Sequence, residues 1–139
     1  MQNDSGVDVS NWINYEYNSG TRRIQFFRTR QGVSFDGPTY NVTLGTTNWN
    51  HIVYTYDGTN IRGYINGSLV AGPTAASGNG SSAQSDFFSI GADRASGSGQ
   101  SFFSGLIDEV SCFNRALSLS EIQTIYNEAV SGGFYYMSV

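Results

Sequence analysis

Apolar and polar residues alternate with a period of two along most of this chain, the pattern of strands that turn one face to a core. From Trp12 to Tyr17 the residues Ile13, Tyr15 and Tyr17 share one face. Asn18-Ser19-Gly20 is a turn signal. Alternation resumes from Arg22 to Arg28, with Ile24 and Phe26 facing one way and Gln25 and Phe27 the other, so the two runs predict a hairpin. Phe35-Asp36-Gly37-Pro38 predicts a second turn, and Tyr40 to Leu44 a short strand. Trp49 to Tyr56 is apolar on both faces, which predicts a central strand covered on each side. Asp57-Gly58 turns the chain, Asn60 to Ile65 returns, and Asn66-Gly67 is the strongest hairpin signal, since both central positions of a type I′ turn need positive φ. Ser68 to Ala71 continues the ladder. Residues 72–85 and 94–101 are small and polar and predict loops, with a short strand at Phe87 to Ile90 between them.

The period changes near the end. Leu106, Asp108, Val110 and Cys112 alternate with Ile107, Glu109, Ser111 and Phe113, predicting a long strand from Phe102 to Phe113. A helix follows. Ser118 is placed to cap it and Glu121 stands three residues on, the spacing of a capping box. Leu119, Ile122, Ile125 and Tyr126 then give one apolar face. Phe134 to Val139 has strand composition and is expected to pair back into a sheet. Many short strands joined by Gly and Asn turns predict an all-β antiparallel sandwich with one short helix near the C-terminus. A polar lead over residues 1–10 precedes one domain over residues 11–139.

Composition narrows the function classes. Charged residues are 13% of the 139, aromatics 14%, and the net charge is −4 with every basic residue an arginine. A weakly acidic chain without a basic cluster is a poor partner for nucleic acid or for anionic membranes. No apolar run is long enough to insert across a bilayer, and MQNDSGVDVSNW lacks the apolar core of a signal peptide. The single cysteine, Cys112, cannot form an internal disulfide.

Four motifs in fixed order carry a resemblance. They are Trp49-Asn50-His51-Ile52-Val53-Tyr54-Thr55-Tyr56-Asp57-Gly58, Tyr64-Ile65-Asn66-Gly67, Gly105-Leu106-Ile107-Asp108-Glu109-Val110, and Asn114-Arg115-Ala116-Leu117-Ser118 with Glu121-Ile122. Together they resemble the laminin G-like/pentraxin branch of the concanavalin A-like lectins and glucanases, from about Trp12 to Tyr126. The resemblance implies a jelly-roll β-sandwich, a bound calcium ion, and adhesion or recognition of glycan or protein surfaces without catalysis, outside the cell or on a particle surface. Relatives start with further strands before the hairpin that opens here. A sandwich without them has an exposed sheet edge, and the expectation is self-association or docking on a larger assembly. A structural subunit, such as a virion fibre, decoration or surface-layer protein, is the alternative reading.

Candidate chemistry is sparse. Strand register puts Asp108 on the face of Val110 and Cys112, pointing inward. A buried carboxylate there accepts backbone amides, pairs with an arginine such as Arg115, or, as the resemblance allows, ligates calcium. His51 is the only histidine and reads as structural, since no Ser or Asp constellation surrounds it. Glycoside hydrolysis needs two carboxylates about 5–9 Å apart across a cleft, and no Glu-x-Asp or Glu-x-Glu triplet supplies them on one strand face. Aromatic faces stack on sugar rings while neighbouring polar groups bond the hydroxyls. On that basis the candidate ligand-binding residues are Tyr15, Tyr17, Tyr40, Tyr54, Arg62 and Tyr64.

Overall fold

The computed structural model describes residues 9–30, 33–42, 44, 48–76, 89–92 and 102–130. The predicted hairpin is present: β1 (Val9–Asn18) pairs antiparallel with β2 (Thr21–Arg30). Ser19 and Gly20 at its tip have φ values of 50° and 88°, the two left-handed positions of a type I′ turn. The other edge of β2 carries two short strands end to end, β3 (Val33–Asp36) and β4 (Thr39–Asn41). The turn predicted at residues 35–38 therefore tightens to Gly37 and Pro38, with Phe35 and Asp36 still in the ladder.

A second antiparallel sheet follows in the order β5 (Ile52–Tyr56), β6 (Asn60–Ile65), β7 (Ser68–Ala75). Asn66 and Gly67, at φ 50° and 73°, close β6 onto β7 as the Asn-Gly pair predicts. β7 runs on to Ala75, so residues 72–75 are strand where the sequence suggests loop. Pro73 is tolerated because β7 is an edge. Gly72, at φ 92°, lies where the β7 register slips against β6. β5 is covered on both faces as expected, but among the described residues it pairs only with β6 and is an edge strand; the centre of the sheet is β6.

The sheets pack face to face. Ile24 and Phe26 of β2, both fully buried, meet Ile61, Ile65 and Ala71 of the second sheet. Gly63 lets them approach: a Cβ there would overlap the Phe26 ring. Tyr15, Tyr40, Ile52, Tyr54 and Tyr56 close the margins of this core. Opposite β1 lies β5, where the Tyr54 hydroxyl donates to Asn11 Oδ1 at 2.9 Å.

The helix forms a third layer. α1 (Leu119–Val130) covers the outer face of the second sheet, where buried Ile122 and Leu117 pack on Tyr64, with Val53 and Ile125 beside them. The predicted capping box is present: Ser118 N–H donates to Glu121 Oε2 at 2.8 Å, and Glu121 N–H donates to Ser118 Oγ at 3.4 Å. Arg115 adds two hydrogen bonds to the same carboxylate, at 2.6 and 2.9 Å.

Residues 102–113 depart most from expectation. They form no strand, and every one is exposed. The alternation is there, but a strand needs a neighbour for its backbone groups, and none of the described strands lies beside it. Glu109, at φ 52°, interrupts the extended path. Ser89 and Ile90 are likewise outside any strand. The polar lead up to residue 8, residues 77–85 of the first small-residue loop, the whole of the second at 94–101, Phe87 and Phe88, and the Phe134–Val139 segment lie outside the described residues.

Candidate functional site

The candidate acidic site does not have the expected environment. Asp108, Val110 and Cys112 are exposed rather than inward-facing, because among the described residues no second layer covers that side of residues 102–113. Asp108 Oδ1 accepts the N–H of Glu109 at 2.9 Å, which satisfies the αL residue locally. Arg115, one of its suggested partners, is engaged by Glu121 instead. Calcium takes six to eight oxygen ligands. Among the described residues no three His, Cys, Asp or Glu side chains converge.

The six aromatic and arginine candidates divide between the layers. Tyr15 and Tyr40 flank Ile24 in one cross-strand row, since Tyr15 pairs with Ile24 and Ile24 with Tyr40, and all three point at the core. Tyr54 faces the same core from the other sheet. Tyr64, only 5% exposed, lies on the opposite face of that sheet under the helix. Tyr17 is 72% exposed at the hairpin end. Arg62 is tied to the Asp57 turn, where its Nη1 lies 2.5 Å from Asp57 Oδ2. The other oxygen of Asp57 accepts the N–H groups of Thr59 and Asn60 and the Thr59 hydroxyl. Arg62 and these donors hold the Asp57 carboxyl well below the usual carboxylate range. The fold thus brings Tyr15, Tyr40 and Tyr54 to one core, and spreads Tyr17, Arg62 and Tyr64 over three other places.

A polar cluster between the sheets was only half legible. Arg28 of β2 lies 4.1 Å from the centroid of the Tyr56 ring and donates to Asn11 Oδ1 at 3.5 Å. Asn11 in turn accepts from Tyr54. Burial pushes the Tyr54 phenol up to about 12, with Arg28 pulling the other way. This cluster locks β1, β2 and β5 together. Strand parity could have found it: Asn11 shares the inward face of Ile13 and Tyr15, and Tyr56 that of Tyr54.

His51 is structural in its contacts. Its N–H donates to Asn66 Oδ1 at 2.9 Å, and its carbonyl accepts from Asn66 N–H at 2.8 Å. Its ring stacks on Tyr126 of the helix with centroids 6.0 Å apart. Burial lowers its pKa below the ordinary histidine value. An open groove of about 300 Å³ runs beside the helix, lined by Phe113, Arg115, Leu117, Ser120, Glu121, Thr124 and Ile125.

A further feature is the side of the sandwich where β1 and β5 lie over each other. Both are edges among the described residues, so two ladders end there. Residues 102–107 start from this side: the Phe103 ring meets Tyr15 of β1 edge-on at 6.5 Å, and Phe103 N–H donates to Gly91 carbonyl at 2.8 Å. The following residues put Leu106, 80% exposed, together with Ile107, Val110 and Phe113 in solvent. Among the described residues, an exposed apolar segment thus lies beside two sheet edges.

Comparison with known proteins agrees with this architecture. A similar solved structure is that of an S-layer domain-containing protein from Clostridium thermocellum, at a TM-score of 0.53 and 25% identity. The match covers 91% of this chain but 65% of that one, so this chain spans less than two thirds of the length of the structure it matches. No curated protein matches. The laminin G-like model described as belonging to the concanavalin A-like lectin/glucanases superfamily matches residues 2–123, and with two facing antiparallel sheets and a helix laid on one of them, the chain belongs to that family.

Proposed function

We propose that this domain is a non-catalytic recognition module of a cell-surface assembly, and that it binds protein surfaces through its open β1/β5 side. The observation that carries this reading is the exposed apolar segment from Phe102 to Phe113, which has the alternation of a strand and, among the described residues, no strand beside it. Exposed apolar surface rimmed by polar groups marks interaction sites. The likeness to an S-layer domain-containing protein supports a location at the cell surface. Among the described residues no helix is long and apolar enough to cross a membrane.

Glycan binding fits the described geometry less well. A sugar platform needs aromatic faces open to solvent beside hydrogen-bonding groups. Of the six candidates, Tyr17 presents its ring while Tyr15, Tyr40, Tyr54 and Tyr64 are committed to the two cores. The superfamily also includes glucanases, but Asp108 and Glu109 are neighbours in sequence rather than a pair facing across a cleft.

The test is binding of the purified domain to isolated bacterial surface-layer protein, measured by interferometry, beside a glycan array with and without calcium and a glucan hydrolysis assay. The reading predicts protein binding that weakens in Val110→Lys. Glycan binding without protein binding, or turnover of a glucan, would refute it.

A further inference from the structure

We infer that the open edge of β1 accepts the segment Gly105–Phe113 of a second copy of this chain, so that two copies pair reciprocally through added strands. This rests on the recognition reading above and names its first partner. The chain carries both halves of such a contact. The acceptor is β1, ten residues long, which pairs only with β2 among the described residues. Its hairpin closes at Asn18 and Thr21 around a two-residue turn. Antiparallel pairing alternates from that closing pair, which directs the backbone groups of Asn11, Ile13, Tyr15 and Tyr17 away from β2 toward the open side. The donor is the segment from Gly105 to Phe113, exposed throughout and of strand alternation.

The two faces of the donor suit the acceptor. Leu106, Val110 and Cys112 share one face with Asp108, and Ile107 and Phe113 share the other with Glu109 and Ser111, so each face carries apolar residues that a sandwich can take up and one carboxylate that has to reach its rim. The open edge of β1 lies over that of β5, and a strand added there continues one sheet while its apolar face extends the core at Tyr15 and Ile52. The donor leaves its own sandwich from the same side, where Phe103 meets Tyr15. A patch that holds donor and acceptor together is self-complementary, the requirement for a closed twofold pair. Glu109 must change conformation on pairing: its φ of 52° has to become extended. Backbone pairing then supplies the affinity and the alternating side chains the register.

The test is sedimentation of the 139-residue chain over a range of concentrations, with hydrogen exchange at each end of the range. The expected result is a concentration-dependent doubling of the 15.1 kDa mass, with slowed exchange at Ile13, Tyr15 and Tyr17 in the paired form. Leu106→Lys and Val110→Lys, both at exposed positions, should each weaken pairing by about tenfold or more with unchanged circular dichroism and melting. Glu109→Thr, which disfavours positive φ, should strengthen it. A monomer at every concentration, or a dimer indifferent to both lysine substitutions, overturns the inference. If that monomer still binds surface-layer protein, self-pairing alone has failed and the recognition reading stands.

Discussion

The contact between Gly63 and Phe26 sets the spacing of the two sheets, and replacing the glycine tests it. A glycine inside a strand is ordinarily unfavourable, and alanine in open space would gain roughly 0.5–1 kcal/mol. Gly63 is not in open space. An added Cβ would overlap three atoms of the Phe26 ring, the least crowded of them at 2.6 Å, where ordinary carbon contacts lie near 3.5–4.0 Å. Phe26 is fully buried among Ile24 and Ile61 and has no free side to move into. Overpacking of this kind costs about 1–3 kcal/mol. Set against the intrinsic gain, Gly63→Ala should lose about 1–2 kcal/mol. For a domain of this size that lowers the melting temperature by roughly 3–10 °C. The assay is urea and thermal unfolding followed by circular dichroism on Gly63→Ala, Phe26→Leu and the double variant. Leucine at position 26 removes the ring edge, so the double variant should be more stable than the two single losses add up to, by about 0.5 kcal/mol or more. A neutral or stabilising Gly63→Ala, or strict additivity in the cycle, would refute the face-to-face packing of β2 on β6.

Other parts of the account can be checked separately. Ser118→Ala removes the helix cap and should cost about 1 kcal/mol, seen as a lower urea midpoint with no change in slope; an unchanged midpoint would mean the cap contributes nothing. The Arg115 hydrogen bonds, then those of Ser118, hold Glu121 down to about 2 from an ordinary value of 4.5. A depressed carboxylate stabilises the folded state above its unfolded pKa, so this contribution is complete above about pH 4.5 and fades as pH falls toward 2. Stability of Glu121→Gln measured across that window should therefore fall less steeply than that of the parent, and parallel curves would contradict the pairing. Asp108→Ala should leave stability within about 0.5 kcal/mol of the parent, as at any exposed position; a loss of several kcal/mol would restore the buried carboxylate that strand register alone suggests.

Local signals in the sequence were reliable wherever they are complete in themselves. Asn66-Gly67 needs only its own two φ angles, and Ser118 with Glu121 needs only one helical turn, so both are visible without any knowledge of the fold. Ile24 and Phe26 were assignable to one face because β1 and β2 are joined by a two-residue turn that fixes their register. Features that depend on a distant neighbour were not readable. The alternation of Leu106 to Phe113 specifies which side chains share a face, but not whether another strand lies alongside, and without one the same residues are exposed. Within Trp49 to Tyr56 only Ile52 to Tyr56 forms the strand, and Trp49 is exposed; the strand is apolar on both faces because a sheet covers one and a helix the other, which is compatible with an edge position as much as a central one. The tyrosines that suit a sugar platform lie mostly in the two cores for the same reason: large aromatics go first to burial in a small sandwich.

Cys112 provides the most direct measurement, because it is the sole cysteine of the chain and sits in the exposed segment. Its rate of reaction with a maleimide reports coverage of residues 105–113 without any substitution. The account predicts rapid labelling in dilute solution and strong protection once the segment is docked, whether on a second copy at high concentration or on surface-layer protein. Slow labelling in the dilute monomer, or the same fast rate in the bound state, would contradict it.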